Sequence, residues 1–163
     1  MNKKKTEQCI EDILLEKYDH YYRMAYSYTQ NEADAQDIVQ NGAYRAILNS
    51  DSLKNFEFAE TWVYRIMLNE TFRFLKKHPE ILMDELPVEV GKEDNYENID
   101  LQRALNSMAK EDKAVIQLRY FEDLKLSQIA EILGENVNTI KSRLYRGLKK
   151  LKLELSDTWQ WDS

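Results

Sequence analysis

Both prolines of this chain, Pro79 and Pro87, fall within residues 78–100, a stretch that also carries eight acidic residues against one basic, Lys92. A proline lacks the backbone donor that a helix interior requires, so helix is interrupted there. With four glycines and two prolines in 163 residues, long helices form easily and tight-turned sheet does not. The expected fold class is therefore all-α. Two small helical domains, residues 1–77 and 99–163, are joined by an acidic flexible linker, 78–98. Each block is small for one self-sufficient core, so marginal stability or help from a partner is expected.

Composition also excludes several classes of function. The single cysteine, Cys9, allows no internal disulfide and no metal site. The basic start Met1-Asn2-Lys3-Lys4-Lys5 is followed by polar and acidic residues rather than by the apolar core of a signal peptide. No apolar run approaches the roughly 18 residues that a bilayer span needs, so a cytoplasmic location is expected. His20 and His78 have no metal-ligand spacing, and neither a glycine-rich phosphate loop nor a nucleophile signature is present. No enzyme, metal, cofactor or small-molecule substrate is expected.

The C-terminal block carries the clearest motif. From Leu126, Ser127 can cap a short helix with Ile129, Ala130 and Leu133 as its apolar face, and Gly134 ends it. Val137, Ile140 and Leu144 then continue an apolar stripe at helical spacing. Between Val137 and Lys152 lie six basic residues and no acidic one, in a chain of net charge −6. Attraction to phosphate is local and short-ranged in physiological salt, so this reversal of sign suits a helix docked on DNA. The pattern is a helix-turn-helix with a basic second helix.

The N-terminal block reads as three amphipathic helices. Ile10–Thr29 has a stripe of Ile13, Leu14, Tyr18, Tyr21, Tyr22, Ala25 and Tyr28. Asn31 caps the next helix, about Glu32 to Leu48, with Ala35, Ile38, Val39, Ala43, Ala46 and Ile47 inward. Glu32, Asp34 and Asp37 suit the positive end of its dipole, while Gly42 should cost about 1 kcal/mol relative to alanine. After a break at Asn49-Ser50-Asp51-Ser52, a third helix runs from about Phe58 to Lys77 with Trp62, Val63, Ile66, Met67, Phe72, Phe74 and Leu75.

Two strings identify a family. Ala33-Asp34-Ala35-Gln36-Asp37-Ile38-Val39-Gln40, with Thr61-Trp62-Val63-Tyr64-Arg65-Ile66 and Asn69 further on, resembles the second conserved region of extracytoplasmic-function sigma factors of the sigma-70 family. Ile129-Ala130-Glu131-Ile132-Leu133-Gly134 with Thr139-Ile140-Lys141-Ser142-Arg143-Leu144 resembles the fourth region. The two occur in the family's order and together cover nearly the whole chain.

The resemblance implies a dissociable specificity subunit of bacterial RNA polymerase. Its first domain would be a three-helix bundle (region 2) and its second a four-helix unit with the helix-turn-helix (region 4). Asp34, Asp37, Ile38 and Gln40 would meet the clamp coiled coil of the polymerase largest subunit, although Ile38 and Val39 also suit a core. Phe56, Trp62, Arg65, Asn69 and Arg73 would bind the promoter's −10 element, with Asn69 in a flipped-base pocket; Trp62 is equally a core candidate. Arg119, Asn138, Thr139, Lys141, Ser142, Arg143, Arg146 and Lys149 would bind the −35 element. Within that set Asn138 either contacts DNA or caps its helix, and Arg119 either meets phosphate or pairs with Glu122 or Asp123.

About 85 Å of duplex separates elements some 25 steps apart. The linker, extended, reaches roughly 70 Å; its acidity, including Asp84, Glu85, Glu89, Glu93 and Asp94, would mimic nucleic acid along the polymerase's RNA path. A membrane-anchored anti-sigma factor is a further implied partner. Two other readings remain at this point: a stand-alone helix-turn-helix regulator that binds an operator without polymerase, and a pure protein-interaction module. The tail tryptophans Trp159 and Trp161 fit no part of the pattern.

Overall fold

The computed structural model describes the backbone of residues 2–83 and 96–155 and the side chains of residues 2–81 and 100–153. The acidic residues Asp84 to Asp94, with Pro87 and Gly91, and the pair Trp159 and Trp161 lie outside the described residues. Two compact units divide the chain, Met1–Leu86 and Pro87–Ser163. Every regular element among the described residues is helical. Two stretches assigned to the linker are helical as well, Glu80–Met83 and the residues from Tyr96 onward.

In the first unit, α1 spans Lys3–Thr29 and starts well before the apolar stripe does, because Asn2 caps it: the Lys4 N–H donates to Asn2 Oδ1 at 2.8 Å. It ends at Gln30, whose left-handed backbone (φ 52°) turns the chain into Asn31. The Asn31 Oδ1 accepts the Asp34 N–H at 2.9 Å and opens α2, Glu32–Leu48. Two short 3₁₀ turns, Ser50–Ser52 and Phe56–Phe58, lead into α3, Ala59–Lys77, with Leu53 tucked inward between them. A short α4, Glu80–Met83, follows.

Three helices pack around Ile10, Tyr21 and Ala25 of α1, Ala35, Ile38 and Val39 of α2, and Val63, Met67 and Leu68 of α3. Tyr21 meets Tyr64 edge-to-face at 5.0 Å, and Tyr28 meets Phe72 at 5.8 Å. Gly42 does not break α2. A Cβ there would run into the Met67 sulfur and come within 3.2 Å of its methyl, so the missing side chain makes room for the buried Met67 thioether of α3. Tyr18 and Ile47, placed inward by the periodicity, are 41% and 37% exposed.

The second unit holds α5 (Tyr96–Asn106), α6 (Lys110–Ile116) widening into a π-helical turn at Gln117–Phe121, α7 (Leu126–Leu133) and α8 (Val137–Leu155). Ser127 is not the cap of α7. The helix begins one residue earlier, and the Lys125 N–H is taken by Gln128 Oε1 at 2.9 Å. Gly134 ends α7 with φ 67°, where glycine carries no Cβ penalty. Asn136, rather than Asn138, caps α8 through the Thr139 N–H at 2.8 Å. Ile129 and Ile132 of α7, Ile140 and Leu144 of α8, and Val115, Ile116 and Leu118 form the core. Gly147 seats α8 against α6: a Cβ there would stand 3.0 Å from Ile116 Cγ1.

Candidate nucleic-acid and partner interfaces

On α8 the core residues Ile140, Leu144, Gly147 and Leu151 define the buried side, which fixes what the helix offers to solvent. Asn138, Lys141, Ser142, Tyr145 and Lys149 are all exposed and stand at spacings of three and four, one continuous row. Tyr145, 67% exposed, belongs to this row and was not among the sequence candidates. An aromatic standing off the 140-144-147-151 stripe was the signal that could have found it. Thr139 is half-buried.

Arg143 departs from its expected role. Its guanidinium donates to both carboxylate oxygens of Glu135 at 3.0 Å and to Asp112 Oδ1 at 3.2 Å, and its side chain is 21% exposed. Donating these hydrogen bonds to Glu135 holds the guanidinium charged and pushes its already high pKa further up. Arg143 thus bolts α6 and the turn before α8 to α8 itself, and the fork that DNA would need is occupied. Arg146 also reaches Asp112, through Nε at 2.8 Å and Nη2 at 3.2 Å, but its side chain is 63% exposed. Arg119 donates from Nη1 to the Leu124 carbonyl at 3.1 Å and braces the loop after the π-helical turn.

In the first unit, α3 brings Trp62, Arg65, Asn69 and Arg73 onto one row, each three or four residues from the next. Arg65, Asn69 and Arg73 are exposed and Trp62 is half-buried, so its ring has one face in the bundle. Phe56, 41% exposed, sits in the 3₁₀ turn just ahead. Glu70, buried between helices, pairs with Arg73 and also with Arg45 of α2.

On α2 the prediction for Ile38 fails: the side chain is 2% exposed, packed in the bundle, and cannot touch a partner. Asp37 and Gln40 are exposed, and Asp34 is half-buried at the capped end. The apolar part of this face comes instead from Tyr44 and Leu48, 67% and 65% exposed, which extend the row of Asp37 and Gln40. Their positions fall outside the buried 35-38-42-46 set, a sign that the sequence contained.

Residues 14–79 match the family Sigma-70 region 2, and residues 98–151 match Sigma-70, region 4. The RNA polymerase sigma factor SigV of Bacillus subtilis strain 168 is 42% identical over 165 residues, covering 96% of this chain and 97% of the relative. The chain belongs to the extracytoplasmic-function sigma factors. A second relative, the ECF RNA polymerase sigma factor SigW of the same organism, is 31% identical over 174 residues, covering 95% and 93%. Among solved structures, the sigma factor RpoE of Bartonella quintana, crystallised with the anti-sigma factor NepR, has the same fold. Its TM-score is 0.76 at 21% identity, covering 91% of this chain and 98% of that one.

As a sigma factor this protein directs promoter recognition with RNA polymerase. Sigma factors are generally not enzymes. Among the described residues no helix is long and apolar enough to cross a membrane.

Proposed function

We propose that the first unit of this sigma factor docks on core polymerase through α2 and reads the −10 element through α3, while α8 reads the −35 element as duplex. On α2, Asp37, Gln40 and the half-buried Asp34 offer carboxylates and an amide to arginines of the clamp coiled coil. Tyr44 and Leu48 supply the apolar centre that such an interface needs. On α3, Phe56 and the open face of Trp62 are stacking surfaces for unpaired bases, and Arg65 and Arg73 hold phosphates. The exposed amide of Asn69 can donate and accept toward a flipped base.

On α8, Lys141 and Ser142 reach base edges, Tyr145 offers apolar contact, and Asn138 and Lys149 flank them on the backbone. Thr139 serves the helix start, and Arg119 and Arg143 serve the domain itself. One observation carries this reading. The outer row of α8 holds lysines, amide and hydroxyls with no carboxylate, while Glu135 and Asp112 are taken up on the other side.

The RNA chemistry belongs to the polymerase and not to this chain. The place of action of this chain is the cytoplasm, and its restraint is an anti-sigma factor, as NepR is the anti-sigma partner of RpoE; anchoring of that partner in the membrane is part of the proposal. Run-off transcription with purified core enzyme tests the reading. Start-site-specific transcripts that require both promoter elements are expected. Absence of transcripts, together with tight binding of the free chain to an operator, would replace it with a stand-alone regulator.

A further inference from the structure

Arg146 is held in an unusual way for an exposed residue. Its Nε and Nη2 grip the two oxygens of Asp112, at 2.8 Å to Oδ2 and 3.2 Å to Oδ1. The Asp112 side chain is only 6% exposed, whereas that of Arg146 is 63% exposed. The carboxylate is itself fixed, because Oδ1 also accepts from Arg143 Nη1 at 3.2 Å, and Arg143 is anchored to Glu135 in the turn before α8. Gly147 allows this approach. A Cβ there would stand 3.0 and 3.1 Å from Ile116 Cγ1 and Cδ1, so the missing side chain keeps α6 and α8 close enough for a short carboxylate to span them.

A guanidinium has five N–H donors in a rigid plane. Asp112 consumes two of them, on the Nε edge, and leaves the Nη1/Nη2 edge of this 63% exposed side chain to a ligand. That edge is the fork that fits the O6 and N7 acceptors of guanine. The flexible side chain is thereby converted into an aimed one, one helical turn from Ser142 and Lys149 on the DNA-facing row.

We propose that Asp112 is a positioning residue for −35 recognition, a buried buttress that aims Arg146 at one guanine of the duplex. The proposal rests on the assignment of α8 to the −35 element. It also has an electrostatic consequence. Two carboxylates, Asp112 and Glu135, offset the two arginines, so Arg146 contributes direction rather than bulk attraction to phosphate.

Removing the buttress should therefore move two quantities in opposite directions. Holoenzyme carrying Asp112→Asn, measured by anisotropy on −35 duplexes with each base pair replaced in turn, should lose about tenfold discrimination at one G·C pair. Its salt dependence should steepen by about one phosphate contact as the arginine charge is released. Arg146→Ala should lose discrimination at the same pair, and the double variant should lose no more than Arg146→Ala alone. Asp112→Glu, which keeps the charge and a fork of the same kind, should restore discrimination; circular-dichroism melting of each variant separates folding from reading.

A uniform loss across all duplexes with an unchanged salt slope would overturn the proposal and leave Asp112 a purely structural residue. Additive losses in the double variant would overturn it as well. Wild-type holoenzyme indifferent to every −35 change would instead remove the −35 assignment itself, and the buttress with it.

Discussion

Lys113 is a lysine where the fold has little tolerance for charge. It is 3% exposed on α6, and burial pushes its ammonium down from 10.5 to about 7. Its Nζ donates to Asn106 Oδ1 at 2.8 Å. The folded unit gives up this proton near neutrality, while the unfolded chain keeps it to about 10.5. Between those values the unfolded state binds more protons, so stability of the second unit rises with pH. Below pH 7 both states are charged and the burial cost is present in full. Lys113→Met should therefore raise the melting temperature most at pH 6, an effect of a few kcal/mol at about 1.4 kcal/mol per pKa unit. The gain should shrink toward pH 10; a constant difference from pH 6 to 10 would refute the assignment.

Arg143 is held in the domain by Asp112 and Glu135, whereas Lys141 is exposed, and the proposed function gives it recognition. Arg143→Ala leaves Asp112 and Glu135 without their shared partner and should destabilise the second unit by about 1.5–3 kcal/mol. Lys141→Ala should leave melting within about 0.5 kcal/mol and lower −35-dependent transcription. Three residues apart, Arg143 and Arg146 share a side of α8. That this side faces Asp112 could not be read, because the pairs join residues 31 and 34 positions apart and depend on how α6 crosses α8. Buried charge pairs have no periodic signature in sequence, whereas apolar stripes do.

At the scale of elements, legibility follows the strength of the local signal. α2 begins and ends where its Asn31 cap and the Asn49-Ser50 break put it. The start of α1 was missed because Lys3–Gln8 is polar and carries no stripe, and only the Asn2 cap marks it. Gly42 was read as a local cost, when its reason lies on another helix. Substitution by alanine gains about 1 kcal/mol of helix propensity. It also forces Met67, 1% exposed, out of its place, and overpacking of this kind costs about 1–3 kcal/mol. Gly42→Ala should lower the melting temperature of the first unit, and adding Met67→Ala should cost less than the two separate losses combined.

Outward residues of α2 follow a similar logic. Ile38→Ala should destabilise the bundle by about 2–4 kcal/mol. Tyr44→Ala and Leu48→Ala should leave melting nearly unchanged and weaken capture of core polymerase in a pull-down, as should Asp37→Asn with Gln40→Ala. Loss of core capture by Ile38→Ala at temperatures where its fold persists would contradict this division.

At the scale of the whole molecule, the proposed function splits promoter reading between two units, each with its own core, so their contributions should separate kinetically. On that proposal, duplex reading by α8 would act while the promoter is still closed, and base capture by Asn69 only once strands part. Lys141→Ala should therefore weaken the closed complex, and Asn69→Ala should slow the step after it. The observed rate of permanganate reactivity, plotted against holoenzyme concentration, resolves the two. Lys141→Ala should shift half-saturation to higher concentration by about tenfold with the plateau unchanged, the size of one base contact. Asn69→Ala should lower the plateau several-fold and leave half-saturation in place. Because the substituted residues lie in separate units, the double variant should show both changes at their single-variant size. A plateau that falls with Lys141→Ala would mean that duplex contact is also used during opening, and the division of labour between the units would fail.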